Sequence, residues 1–278
     1  MRIAYLGPAG TFTEDALREA LGGNEEFEPL RTPTIHDAIL AVEQGEVERA
    51  LVPFENSIEG SVRSTLDTLA FDAEGVTVVG EHDFAVRAML IGRDARELDE
   101  ITAVLSHPQP LAQCARFLRS ELPGAERRSV SSTAEAVRQV SETGEAWAAI
   151  GAHAAAELYS CEILREGIED EDNNVTRFVW IAPVGTEPDA GSAWKTSLVF
   201  SELGEDHPGA LVNALREFSS RDVNLTRIES RPMRLGLGRY MFFCDLEGAE
   251  TDEPVSEAIR ALRTKADSVR ILGSYPTA

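Results

Sequence analysis

Asn173 to Phe178 reads NNVTRF, placing a hydroxyl, a guanidinium and an aromatic ring on Thr176, Arg177 and Phe178 where the apolar run VWIAP begins. Such a hexapeptide is most often an ordinary strand start, and by itself it says little. Neighbours on a strand point to opposite faces, so Arg177 can pair with an acid rather than share the side of Thr176. A second polar concentration is ENSIEGSV. There Asn56 offers an amide that both donates and accepts, and Ser57 a hydroxyl. Gly60 and Ser61 are expected to open the helix VRSTLDTLAF, whose free N–H groups favour a carboxylate. Ser61 as a plain N-cap is the alternative. In GPAGTF, Gly7 and Gly10 allow close backbone approach and Thr11 can cap the next helix. This is neither GxGxxG nor a Walker loop, so no nucleotide is indicated. SHPQPLAQC supplies Ser106, His107, Gln109 and Gln113, with His107 a base or only a cap. Thr133 in SSTAEA sits near a helix start, within reach of a carboxylate or as a cap.

These segments follow predicted strands. RIAYLG reads as a buried strand and TFTEDALREAL as a helix with apolar residues at Phe12, Ala16, Leu17 and Leu21. FEPLR, then the helix TIHDAILAVEQG capped by Thr34 and stopped at Gly45, then RALVPF complete a βαβαβ order. That order predicts a parallel sheet with right-handed crossovers. Near VTVVGEHDFAVRAMLIG the helix signals fade, and a second lobe is expected from about 77 to 167. It holds the strands ITAVLS, RRSV and AWAAIG and the helices PLAQCARFLRSEL, STAEAVRQVSE and AHAAAELY. CEILREGI and TRFVWIAPV carry the chain back, so lobe 1 comprises about 1–76 plus 168–183. Two such lobes form a cleft, with ligand outside the carboxyl ends of strands. Residues 184–193 read as a linker. Residues 194–278 have the order βαββαβ, that of a ferredoxin-like domain.

The chain has 278 residues, 26 basic and 48 acidic, for a net charge of −22. Its only lysines are Lys195 and Lys265. High acid content with almost no lysine predicts adaptation to molar salt, where the screening length falls to about 3 Å, with an ordinary acidic enzyme as the alternative. Nucleic-acid binding is disfavoured, since a polyanion is repelled. Cys114, Cys161 and Cys244 are dispersed and odd in number, which fits a reducing cytoplasm. His36, His82, His107, His153 and His207 form no metal motif, and no apolar run approaches the ~20 residues of a membrane span.

Taken together and in order, GPAGTFTEDA, VPFENSIEGSV, NNVTRF, HPGAL and ESRP resemble the prephenate dehydratase family over essentially the whole chain. The resemblance implies a catalytic region similar to periplasmic binding proteins (1–183) followed by an ACT regulatory domain. It implies conversion of prephenate to phenylpyruvate, water and carbon dioxide without a cofactor, in phenylalanine synthesis, with L-phenylalanine as feedback effector. On it, Thr176, Asn56, Glu55, Gln113 and Ser106 are the expected catalytic residues. Gly10, Thr11, Ser57, Gly60, Ser61, Thr133, Arg177 and Phe178 are the expected substrate-binding ones. The expected effector site comprises Gly209, Ala210, Leu211, Asn224, Glu229, Ser230, Arg231 and Pro232, between ACT domains paired in a dimer or tetramer. Glu55 is awkward beside a dianion unless protonated or paired. The alternatives are arogenate dehydration and a non-catalytic two-lobed binding protein.

Overall fold

The computed structural model describes residues 1–22, 27–204 and 208–278; His207 of HPGAL lies outside the described residues. The first strand, β1 (Arg2–Leu6), is buried at Ile3, Ala4 and Tyr5 and pairs in parallel with β2 (Glu28–Thr32) and β3 (Arg49–Asn56). The crossovers are α1 (Phe12–Ala20) and α2 (Ile35–Glu43). Thr34 caps α2 by accepting from the Asp37 N–H, satisfying a donor the helix cannot satisfy itself. A hairpin turn leads to β4 (Gly60–Ser61), which pairs back on β3 before α3 (Arg63–Phe71) begins. Gly60, at φ +80, and Ser61 therefore form the returning arm of that hairpin and do not open the helix as expected; Val62 holds the N-cap position.

The crossover into the second lobe comes later than residue 77. β5 (Val76–Ala85) belongs to the first sheet, where it pairs antiparallel with the returning β11 (Val175–Pro183) along nearly its whole length. Without β5, the buried strand β11 would leave its outer backbone groups unpaired. The sheet order is β2-β1-β3-β11-β5.

The second sheet uses β6 (Met89–Gly92), β7 (Ala103–Ser106), β8 (Glu126–Ser129), β9 (Trp147–Gly151) and β10 (Glu162–Arg165), in the order β10-β6-β9-β7-β8. The expected single helix after β7 is divided at Cys114 into α4 (Pro108–Gln113) and α5 (Ala115–Ser120). The cause is external: the Asp170 N–H takes the Gln113 carbonyl at 2.6 Å, and the Asp170 carboxylate accepts from the Arg116 N–H. The lobe also holds α6 (Thr133–Glu142) and α7 (His153–Leu158). The two lobes meet at α1 and α7. The Asp15 carboxylate accepts from the His153 and Ala154 N–H groups, and a Cβ built on Gly10 would stand 3.0 Å from the Ala155 Cα.

The C-terminal domain is β12 (Trp194–Ser201), α8 (Ala210–Ser219), β13 (Leu225–Pro232), β14 (Tyr240–Glu247), α9 (Glu253–Leu262) and β15 (Ser268–Pro276). Its antiparallel sheet, ordered β13-β14-β12-β15, has the predicted ferredoxin-like topology. One face carries α8 and α9 over Leu198, Phe200, Cys244 and Leu246. The other face packs Val199, Met241, Phe243, Leu272 and Tyr275 into the same apolar core as Val52, Phe54, Leu66 and Val78 of lobe 1. Segment 184–193 is also fastened down, since the Asp189 N–H donates to Val79 O and its carboxylate pairs with Arg49 at 2.8 Å.

The tightest point of this docking is Gly273, where an added Cβ would fall 2.2 Å from the Val78 carbonyl oxygen. Gly273→Ala is expected to lower stability by about 1–3 kcal/mol, as overpacking against backbone does. Urea unfolding of both proteins checks it, and an unchanged midpoint would contradict the docking described.

Candidate functional site

The site begins with two adjacent strands, β3 and β11, and the pleat that sends alternate side chains to opposite faces. Thr176 stands directly opposite Asn56, and Arg177 directly opposite Glu55. The register then slips from Glu55 to Pro53, leaving Phe54 as an extra residue on β3. A bulge of this kind bends the strand and re-aims side chains. The polar motifs are thereby divided back to back: Thr176 and Asn56 serve one face, and Arg177 and Glu55 the other.

On the first face the Asn56 Nδ2 donates to Thr176 Oγ1 at 2.9 Å and to Asn174 Oδ1 at 2.8 Å. Asn56 Oδ1 accepts from the Ile58 and Glu59 N–H groups, both at 2.9 Å, which fixes the amide's orientation. Thr176 Oγ1 accepts from Asn56, and a hydroxyl that accepts keeps its own proton for donation to another partner. Asn174 continues the chain to lobe 2 through a 3.4 Å contact with Gln113 Oε1. Ser57 stitches the hairpin to β11, donating to Asn173 O and accepting from the Val175 N–H. The network reaches an interlobe cavity of about 610 Å³ through Asn174, while Thr176 and Asn56 themselves are not among the lining residues. It is lined by Ile58 and Glu59 from lobe 1, His107, Pro108, Gln109, Ala112 and Gln113 from lobe 2, and Glu169, Asp170, Glu171 and Asn174. No lysine or arginine is among these lining residues, so an anion there would meet neutral amides and nearby acids. His107 takes the N-cap of α4 and accepts from the Gln109 N–H through Nδ1. Cys114, behind α4, is no nucleophile: burial, with Asp170 and Glu169 nearby, pushes its thiol up to about 12.

On the second face, Arg177 does not meet this cavity, contrary to its expected substrate-binding role. Its guanidinium donates to Asp245 of β14 at 2.6 Å, to Glu55 at 3.0 Å and to Glu81 of β5 at 3.2 Å. Burial opposes the charge, but Asp245 and Glu81 outweigh it and raise the Arg177 pKa. Glu55, expected among the catalytic residues, is thus paired with Arg177 on the face away from Thr176. Lys195 closes on Glu81 at 2.7 Å, and Arg227 of β13 donates to Ser61 Oγ at 2.8 Å. The Arg177 and Arg227 guanidiniums each lie 4.9 Å from the Phe54 ring centroid, so the bulged residue separates them from the core. Ser61 therefore serves the domain junction.

Other expected residues are dispersed. Phe178 is buried, edge-on to Phe84, and belongs to the core. Ser106 is fully buried and donates to the Ile150 carbonyl at 2.7 Å. Gly10 adopts φ +78 against α7 and its N–H donates to Glu14; Thr11 sits at the α1 N-cap without a capping bond. Ser132, rather than Thr133, caps α6, and Thr133 is buried as the first helical residue. Sequence reasoning missed Asn174, although it lies within the same hexapeptide as Thr176. It also missed Glu81, Asp245 and Arg227, which no local pattern distinguishes.

The expected effector residues lie along α8 and β13. Gly209 holds the N-cap of α8 at φ +91, a conformation that favours glycine, and Ala210 and Leu211 begin the helix. On β13, Ser230 is exposed while Glu229 and Arg231 lie on the face toward lobe 1, opposite Phe243 and Met241. Arg231 makes a bidentate pair with Asp67 of α3, joined by Arg234, so its guanidinium is already engaged within the chain. Asn224 precedes β13 and Pro232 ends it, roughly 25 Å apart at strand rise. These two cannot touch one small ligand within a single chain.

Comparison with known proteins agrees with this architecture. The prephenate dehydratase family model matches residues 3–185, and the ACT domain model residues 202–264. A prephenate dehydratase of Mycolicibacterium vanbaalenii is 41% identical over 287 residues, covering 99% of this chain and 91% of the relative. The crystal structure of prephenate dehydratase from Arthrobacter aurescens in complex with L-Phe is 37% identical, with a TM-score of 0.90, covering 99% of this chain and 90% of that one. A structure described as GqqA, a novel type of quorum quenching acylase, is 30% identical with a TM-score of 0.87, covering 100% and 98%. With a catalytic-region match across both lobes and full-length relatives at this identity, the chain belongs to the prephenate dehydratase family.

Proposed function

We propose that this protein converts prephenate to phenylpyruvate, carbon dioxide and water, and that L-phenylalanine restrains it through the C-terminal domain. The observation that carries the reading is the Asn56–Thr176 pair, joined through Asn174 to the wall of a cavity shared by both lobes. In the reaction the bond to the ring carboxylate breaks and its electron pair enters the ring. The bond to the ring hydroxyl then breaks, and the departing hydroxide takes one proton, supplied in net terms by solvent water, to leave as water. The ring becomes aromatic, which makes the step downhill without an added group. Thr176 donates a hydrogen bond to the departing oxygen, while Asn56, locked by two backbone N–H groups, holds Thr176 in one rotamer. Gln113, Gln109 and Asn174 offer amide donors to the carboxylates.

The relative crystallised with L-Phe supports the effector reading, as does the αL glycine at the start of α8, where free N–H groups favour a carboxylate. The exposed edge strand β13, with Ile228 46% exposed, supports pairing of two C-terminal domains into a dimer or tetramer. We place the protein in the cytoplasm, as a biosynthetic enzyme working at high salt. No described helix is long and apolar enough to cross a membrane.

Thr176→Ala should lower kcat by roughly 10²–10⁴-fold, the scale of lost proton assistance. Steady-state prephenate turnover on the folded variant measures this, and a near-normal kcat would remove Thr176 from the mechanism. Salt provides a second check, because a dianion must approach Glu59, Glu169, Asp170 and Glu171 on a chain of charge −22. Raising KCl from about 0.1 M to about 1 M shortens the screening length from ~10 to ~3 Å and should lower KM for prephenate. A KM that rises with salt would contradict an acid-walled site. The effector site is checked by Gly209→Val, which should shift half-inhibition by L-phenylalanine about tenfold higher, the worth of ~1.4 kcal/mol. Each rate is normalised to the variant's own uninhibited rate; an unshifted curve would exclude Gly209. Deleting the whole C-terminal domain is a poorer experiment, since it would expose the core that domain shares with lobe 1.

A further inference from the structure

The cluster on the second face has a consequence for the reaction, given the prephenate reading above. Six charged groups meet there: Arg177, Lys195 and Arg227 against Glu55, Glu81 and Asp245. They come from β3, β5, β11, β12, β13 and β14, so both domains contribute. Asp245 is 1% exposed and doubly held: one oxygen takes Arg177 at 2.6 Å, and the other takes Ser197 Oγ at 2.6 Å. Ser197 is tied in turn to the Tyr275 hydroxyl at 2.6 Å. Arg177 and Glu55 are the immediate chain neighbours of Thr176 and Asn56. The β3–β11 ladder is irregular at this point, because Phe54 has no partner on β11. The bulge bends β3 and raises its local twist, while β11 stays in register with β5 from Val175 to Trp180, so the ion pairs on the second face act at the β3 side of this seam.

We propose that Asp245, a residue of the C-terminal domain, is a positioning residue for the reaction. Through Arg177 and Glu55 it sets the local twist that brings Thr176 Oγ1 and Asn56 Nδ2 to 2.9 Å on the opposite face. The cluster borders an interdomain cavity of about 320 Å³, so its members have room to rearrange without overlapping packed side chains. Catalytic geometry in lobe 1 then depends on how the C-terminal sheet is docked, which makes that docking a direct determinant of turnover.

The test is a double-mutant cycle in the full-length protein with prephenate as substrate. Asp245→Asn should lower kcat about ten- to a hundredfold, the scale of a misplacement near 1 Å. KM should change less than about twofold, since the cavity donors are untouched. In a Thr176→Ala background the same substitution should cost nothing further, because the group being positioned is already gone. Ser197→Ala, which keeps the Asp245 charge but removes one anchor, should show a smaller loss that is likewise absent without Thr176. It carries the test if Asp245→Asn does not fold. Losses that multiply with Thr176→Ala, or a kcat unchanged in the folded variants, would overturn the proposal while leaving the prephenate reading intact. A wild-type protein that fails to turn over prephenate would overturn both.

Discussion

A guanidinium withdrawn from water must find its counter-charges, and in this protein the search ends in three different parts of the chain. Arg177 is about nine-tenths buried, and an isolated buried charge would cost several kcal/mol. Glu55 meets it from the neighbouring strand, Glu81 from the strand beyond, and Asp245 from the C-terminal domain. Lys195 and Arg227 bring the group to three charges of each sign. Removing Asp245 or Glu81, the two buried acids, leaves the Arg177 charge less compensated. The docking of the two domains and the local shape of β3 and β11 are consequently one problem with one solution. The shared apolar core of Val52, Phe54, Leu66, Phe243 and Tyr275 supplies the bulk attraction, and the ion cluster supplies the register.

The distribution of the remaining charge follows the opposite logic. Acids far outnumber bases, and the surplus stands on the surface and around the interlobe cavity, where water and salt are the partners. Some of these carboxylates also build structure. Glu169 accepts from the Ala88 N–H and pairs with Arg87, and Asp170 ends α4 by capturing the backbone at its break. A cavity walled by acids and amides offers an anion hydrogen bonds and no opposite charge. Attraction between net charges is not available to it.

Similarity of fold does not by itself fix the chemistry. A structure described as a quorum quenching acylase shares this architecture at 30% identity, beside dehydratases at 37% and above. The polar arrangement where the two lobes meet is a small one: a threonine hydroxyl, an amide whose orientation is forced, and a cavity between the lobes.

By itself the sequence determined the order of elements, the two-lobed α/β plan, the ferredoxin-like tail and the segments that end at the cleft. These follow from hydrophobic periods of two and 3.6 and from caps such as Thr34, all local effects. It also determined that Thr176 and Arg177 face opposite ways, because consecutive strand residues must. Only the tertiary structure decided what each of them meets. Asp245 lies 68 positions from Arg177 and Glu55 lies 122 away, distances over which no periodicity speaks. The same holds for Ser61 and Arg231, whose motifs suggested ligands and whose side chains are engaged at the domain junction. Pairing across a fold is settled by packing and by the demand that buried charge be neutralised, and neither is written in a local stretch of residues.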